Sequence, residues 1–216
     1  MAVRNLFEAL KRNELFLVEI KDSVIKTHYR YAQTYEILSA ICYGLGRYSL
    51  SNKYLRRSGE YFAQQESEFS KIKSNHLIGK SFYREQNYPK ALQYLQTDRV
   101  LSSNAYLVEH LIEIDNQLFL ANIFLQKEDF LKAKEHAINA INMKESSPFL
   151  KTYSVLREYL LLFDIAKSMG SIEEMPLIAN KILDIFKEGN FFGIEDHLFY
   201  LISIAERLEA LKLLYL

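Results

Sequence analysis

The chain has 216 residues, 49% of them hydrophobic and 25% charged, which excludes disorder as its default state and suits one sizeable core or one continuous repeat array. Lys+Arg and Asp+Glu both number 27, so no net charge draws the chain to nucleic acid or to an anionic membrane. The one cysteine, Cys42, sits in an apolar stretch; an intramolecular disulfide is excluded, and inert packing in a reducing compartment is expected.

In chain order, the N-terminal stretch MAVRNLFEALKRNELFLVEIKD is broken by charge every few residues and lacks the apolar block of a signal peptide. Apolar residues then recur at spacings of three and four, as in Tyr35, Leu38, Cys42 and Leu45 and again in Leu118, Ala121, Phe124 and Leu125. That spacing predicts amphipathic helices, and no β-sheet is expected. Gly (7) and Pro (3) are scarce, and no Ser/Gly-rich or Pro-rich linker divides the chain, so one domain is expected. The longest apolar clusters, such as 160–165 and 211–216, are too short to span a bilayer.

The chain repeats itself. Leu77–Leu95 aligns with Phe119–Ala137 at an offset of 42: Gly79, Phe82, Tyr88 and Ala91 match Ala121, Phe124, Phe130 and Ala133. Forty residues upstream, Ser39, Cys42, Gly46, Tyr48, Ser51 and Leu55 fill the same slots. Forty-two downstream stand Phe163, Ala166, Gly170, Ile172, Met175 and Ala179, and a weaker copy (Leu6, Ala9, Asn13, Leu15, Val18) precedes them all. Small residues in the first and fifth slots let antiparallel helices approach closely, and the residue before the second helix is expected to plug the gap between pairs. The turns are expected near Gly46, Asn87, Glu128 and Gly170, where a helix ends in the left-handed region.

This slot pattern resembles the tetratricopeptide (TPR) motif over about residues 4–185. It departs in period: TPR units have 34 residues, the main steps here 40 to 42, and helices longer by about one turn each would account for the excess. The resemblance implies an all-α, TPR-like solenoid of antiparallel pairs in one domain, 1–216. A weak N-terminal repeat (1–30) precedes four main repeats (31–185), and capping helices follow (186–216).

No motif carries catalytic chemistry. Gly79-Lys80-Ser81 mimics the end of a phosphate-binding loop, but Ser74 replaces its first glycine and no strand precedes it. The histidines (28, 76, 110, 136 and 197) fall in no ligand spacing and are expected on helix faces. Carboxylates are scattered singly along polar faces, and Glu173-Glu174 is expected to begin a helix. No enzyme, metal or cofactor is expected.

In a TPR-like array the first helix of each pair lines a concave groove. The repeat register then places Gln33, Glu36 and Tyr43 there, with Lys73, His76, Lys80, Tyr83 and Arg84, then Asp115, Asn122 and Gln126, and then Arg157, Asp164 and Lys167. Lys73, Lys80 and Arg84 share a face at spacings of seven and four, suited to a carboxylate. Asn122 and Gln126, four apart, suit a peptide backbone. The expected peptide-binding residues are Lys73, His76, Lys80, Tyr83, Arg84, Asn122, Gln126 and Asp164.

The long period, the Lys/Asn/Ile/Tyr/Phe-rich composition and the run KILDIFKEGNFFGIEDHLFYLISIAERLEALKLLYL look like the intracellular peptide-pheromone receptors of Gram-positive bacteria, the Rap, PlcR, NprR and AimR proteins. That resemblance implies a cytoplasmic sensor that binds a short signalling peptide and regulates transcription or a response regulator; a peptide or protein partner is expected, and a homodimer is one assembly open to it. Such receptors carry an N-terminal effector domain, for which Met1–Tyr29 is too short, so an isolated sensor domain or a stand-alone relative is expected. The rival is a scaffold subunit self-associating through its repeats, similar to TPR subunits of the anaphase-promoting complex and nuclear if eukaryotic.

Overall fold

A computed structural model describes residues 29–96, 107–147 and 154–188, together with 8, 11–13, 15 and 150. Of the weak N-terminal copy only Asn13 and Leu15 fall among them, and the expected capping segment lies outside them beyond Glu188. The described residues form α1 (Tyr29–Gly44), α2 (Tyr48–Ala63), α3 (Glu68–Arg84), α4 (Tyr88–Leu95), α5 (Leu107–Gln126), α6 (Phe130–Ser146), α7 (Leu156–Ser168) and α8 (Glu174–Glu188). Among them there is no strand. The chain divides into two compact units, 1–102 and 103–216, and each is described by itself. In the first, α1–α2, α2–α3 and α3–α4 pack as neighbours; in the second, α5–α6, α6–α7 and α7–α8 do, with α5 also touching α7.

Four turns of one design join the pairs. Each first helix ends in a residue at positive φ: Gly46 (71°), Gln86 (59°), Glu128 (59°) and Gly170 (66°). The next amide in each case donates back across the turn: Arg47 to the Cys42 carbonyl (2.8 Å), Asn87 to Phe82 (2.9 Å), Asp129 to Phe124 (2.9 Å) and Ser171 to Ala166 (3.0 Å). This is the Schellman closure, in which a left-handed residue lets two amides satisfy carbonyls that the helix leaves open. In two pairs the donor then caps the next helix: Asn87 Oδ1 accepts from the Lys90 amide and Asp129 Oδ1 from the Lys132 amide, both at 3.4 Å. One residue thus closes one helix and opens the next, which holds each turn to a few residues.

The slots seen in the sequence are the contacts within pairs. Ser39, Ser51, Ala91, Ala121 and Ala133 are all buried, and Ser39 Oγ lies 3.0 Å from Ser51 Oγ across α1 and α2. A Cβ on Gly79 would stand 2.7 Å from Leu95 Cγ, and one on Gly59 2.7 Å from Ile78 Cγ1. Only glycine permits α4 to approach α3, and α3 to approach α2, so closely. Phe82 stacks on Tyr94 at 5.7 Å and Phe124 on His136 at 5.3 Å, the same contact 42 residues apart. Leu38 and Cys42 are the fully buried centre of the α1–α2 core, and each such leucine contributes about 1.5–3 kcal/mol.

Three expectations are corrected. The residue before the second helix does not plug a gap in every pair, because Tyr48 and Ile172 are exposed. The long period is not one extra turn per helix, since α4 has only 8 residues and its repeat gains length after Leu95. Carboxylates are not all on polar faces: Glu158 is completely buried, 2.8 Å from Lys144 Nζ, which also donates to the Ser154 carbonyl at 2.8 Å.

Candidate functional site

In the first unit the inward residues of α1 and α3 meet side by side. Lys73 Nζ lies 2.7 Å from Glu36 Oε2, so one of the expected carboxylate-binding cations already has an internal counter-ion. Arg84 lies across the α1–α2 pair: its Nη1 donates to Ser51 Oγ at 3.1 Å and to Ser39 Oγ at 3.4 Å. Its guanidinium also sits 4.2 Å above the Tyr43 ring, a favourable arrangement for a cation on an aromatic face. Lys80 is partly exposed on the same helix. His76 is buried rather than open on a helix face.

Aromatic side chains dominate the tips of both pairs. Tyr43 meets Tyr48 edge-on at 5.2 Å, and Tyr83 lies 6.3 Å from Tyr88. Burial, followed by the neighbouring Tyr88 and Tyr43, pushes the Tyr83 phenol above its ordinary range. Deeper in, Tyr31 and Tyr35 share a 2.9 Å hydrogen bond and Tyr35 stacks on Tyr54 at 5.9 Å. Burial and then the Tyr31 bond raise the Tyr35 phenol strongly. These rings are neutral packing and recognition surfaces rather than acids.

The repeat register includes Gln33 and Tyr43 of an exposed stripe on α1 but not its other members, Tyr29 and Ile37. Tyr29, Ile37 and Tyr43 are each about half-exposed, and their spacing, with Gln33 and Ala40 between, puts them along one side of the helix. Gln33 Nε2 donates to the Tyr29 hydroxyl at 2.7 Å. Three large apolar or aromatic groups on a first-helix face were the available signal.

In the second unit Arg157 pairs with Asp115; the two share one slot of the repeat, which Lys73 holds forty-two residues before Asp115. The two first-helix faces therefore share a habit: the later helix brings the cation and the earlier one the carboxylate. Asn122 Nδ2 donates to the carbonyl of Leu118 in its own helix at 2.8 Å, Gln126 is exposed and Asp164 is partly exposed. Gly79-Lys80-Ser81 lies inside α3, with Ser81 Oγ donating to the Ile78 carbonyl and accepting from Arg56; a continuous helix there cannot wrap a phosphate. Among the described residues no group of His, Cys, Asp and Glu is placed to hold a metal ion, and no helix is long and apolar enough to cross a membrane.

A slot missed by sequence reasoning is the polar one that runs inside the repeats. Thr34, Ser74, Asn116 and Glu158 stand 40, 42 and 42 residues apart, and all four are buried. Their common register was the signal. A polar residue at such a slot reads as surface until packing shows otherwise.

With this geometry in hand, the repeat fold has matches among solved structures. The chain is similar to the apo form of RapI, with 14% identity and a TM-score of 0.61 over 86% of this chain and 50% of that one. It is also similar to BtubC (BKLC) from P. vanneervenii, with 12% identity and a TM-score of 0.61 over 97% of this chain and 83% of that one. The fold is a TPR-like array of helix pairs. The chain spans half the length of RapI, and identities this low establish architecture alone. No family model matches the chain, and no curated protein matches it in sequence.

Proposed function

We propose that this chain is a protein- or peptide-binding helical-repeat module, not an enzyme, and that its first-helix face in the unit 1–102 receives the ligand. The observation that carries this reading is the half-exposed Tyr29–Ile37–Tyr43 stripe on the helix that also carries Glu36, the partner of Lys73. It offers apolar and aromatic contact next to charge, the mixture that buries a peptide side chain and fixes its register. The finer proposal is a cytoplasmic sensor for a short signalling peptide, regulating transcription or a response regulator. The likeness to RapI supports it at the level of fold.

A peptide selected from a displayed library on the immobilised full chain, then titrated calorimetrically, tests the reading. Tyr43→Ala and Ile37→Asp should each weaken the dissociation constant about ten- to hundredfold, on the order of 1.4–2.8 kcal/mol. Lys80→Ala should weaken an acidic peptide by a similar factor and reduce the salt dependence of its binding. Selection that yields no binder, or a binder indifferent to all three substitutions, rejects the reading. The scaffold alternative forecasts that indifference, and the exposed leucines of α6 and α8 are its own observation.

A further inference from the structure

One pair of the array carries hydroxyls where the others carry none. The two small slots at which paired helices touch hold Ser39 and Ser51 in the first pair, but Gly79 and Ala91, Ala121 and Ala133, and Phe163 and Met175 in the rest. Ser51 Oγ donates to the Ser39 carbonyl at 2.7 Å, so in its 3.0 Å contact with Ser39 Oγ it is the acceptor. Both oxygens keep a lone pair, and Arg84 Nη1 meets them at 3.1 and 3.4 Å. The slot of Arg84 holds Gly44, Gln126 and Ser168 in the other first helices. Pairs with neither the hydroxyls nor the arginine close with the same turn, so the fold does not require the arrangement. The serines hold the guanidinium 4.2 Å above the centre of the Tyr43 ring, and Tyr43 is still 47% exposed.

A bare tyrosine ring attracts cations to its face. A ring that already holds a guanidinium is a poor seat for a second cation, because like charges a few ångströms apart repel even beside water. Lys80, one turn before Arg84 on α3, adds to the same field. The acids near by are already engaged: Glu85, next to Arg84, pairs with Arg56, and Glu36, two turns before Tyr43 on α1, pairs with Lys73. We infer that Arg84 determines the charge specificity of the ligand face: it makes Tyr43 a cation-excluding floor, so the ligand side chain seated there is uncharged or acidic, never basic. Arg84 acts through Tyr43 and is a positioning residue. The inference rests on the first-helix face of the unit 1–102 being the ligand face, but the charge preference at Tyr43 is measurable without any ligand.

The chain has no tryptophan, so Tyr43→Trp in the full chain places a single indole under Arg84, and its fluorescence reports this site alone. Iodide, caesium and acrylamide are the probes, at constant ionic strength, with each quenching constant scaled to that of N-acetyltryptophanamide. Iodide should quench at least about threefold more efficiently than caesium. Arg84→Gln in this background should bring the two ions to parity and increase quenching by acrylamide. Arg84→Lys should keep the iodide preference, since the charge remains, while acrylamide quenching rises because an ammonium on a flexible stem does not stack. Equal quenching by the two ions in the Tyr43→Trp protein overturns the inference, and that comparison stands even where an Arg84 variant melts early. So does an iodide preference that Arg84→Gln leaves intact. A peptide selected on the parent chain extends the test, its residue at Tyr43 being found by a double-mutant cycle. Changing that residue to lysine should weaken binding at least about tenfold on the parent and less than about threefold on Arg84→Gln; equal tolerance of lysine by both proteins overturns the inference. A selection that yields no binder rejects the ligand reading, and the ion quenching then decides the charge preference by itself.

Discussion

Glu158 and Lys144 are the most demanding residues in the described chain. The carboxylate is wholly out of water, Lys144 Nζ stands 2.8 Å from one oxygen, and Oε2 has no hydrogen-bond partner among the described residues. Desolvating two charges costs several kcal/mol per ion, and their attraction offsets this only while both are present. Lys144→Met should therefore destabilise the protein by about 3–5 kcal/mol, whereas Lys144→Met with Glu158→Met should recover most of that loss. Urea unfolding of the three proteins checks this, and a double variant as unstable as the single one would contradict it. His136 is expected to make stability sensitive to mild acid. Its Nδ1 lies 2.7 Å from Gln117 Oε1, and Gln117 Nε2 donates to Glu113 at 2.8 Å. With its Nε2 donating to Glu113, Gln117 presents its amide oxygen to the ring, so Nδ1 carries the imidazole proton. Burial chiefly lowers the His136 pKa against the smaller raising effect of Glu135, with Lys132 lowering it further. The native state thus binds fewer protons than the unfolded chain. Stability from this site is complete above the unfolded pKa of about 6.5 and is lost as pH falls below it through the lower folded value. His136→Tyr, which copies Tyr94 in the equivalent slot, should reduce the drop in urea midpoint between about pH 7 and pH 5.5. An unchanged drop would assign the acid sensitivity to other groups.

At the scale of the element, the four turns show how one backbone solution is reached with different residues. Gly46 and Gly170 occupy the left-handed region at no steric cost, and a Cβ on either would meet nothing within 4 Å. Gln86 and Glu128 take the same conformation with a side chain present, which costs roughly 1–2 kcal/mol before the greater freedom of an unfolded glycine is counted. Glu128→Gly should accordingly raise stability by about 0.5–1 kcal/mol, and Gly170→Ala should lower it by about 1 kcal/mol through φ alone. Thermal melts of the pair decide it, and equal shifts of the same sign would show that the turns are held by something other than the left-handed residue. The turn positions were legible because Gly, Asn and Asp recur there at the period of the repeat. The individual positive-φ residues were not legible at Gln86 and Glu128, since nothing in those side chains marks the conformation.

Within each of the two units, contacts follow the chain: helices pack on their neighbours in sequence, as the additive logic of a repeat array requires. The sequence by itself determined the helical class, the four turns and the small-residue contacts at Ser51, Ala91 and Ala133. Those depend on local periodicity and on residue size at a fixed spacing, both of which recur visibly from pair to pair. Only the tertiary structure decided the state of the charged residues. Lys73 and Arg84 share a helix face with Lys80 and read as a joint anion site, yet Lys73 meets Glu36 and Arg84 meets Ser39, Ser51 and Tyr43. Glu158 reads as one more surface carboxylate and is the most deeply buried charge among the described residues. The reason is that helical periodicity fixes the direction in which a side chain leaves its own helix, whereas its burial and partners are set by a second helix, brought against it by the same pair or by a neighbouring one.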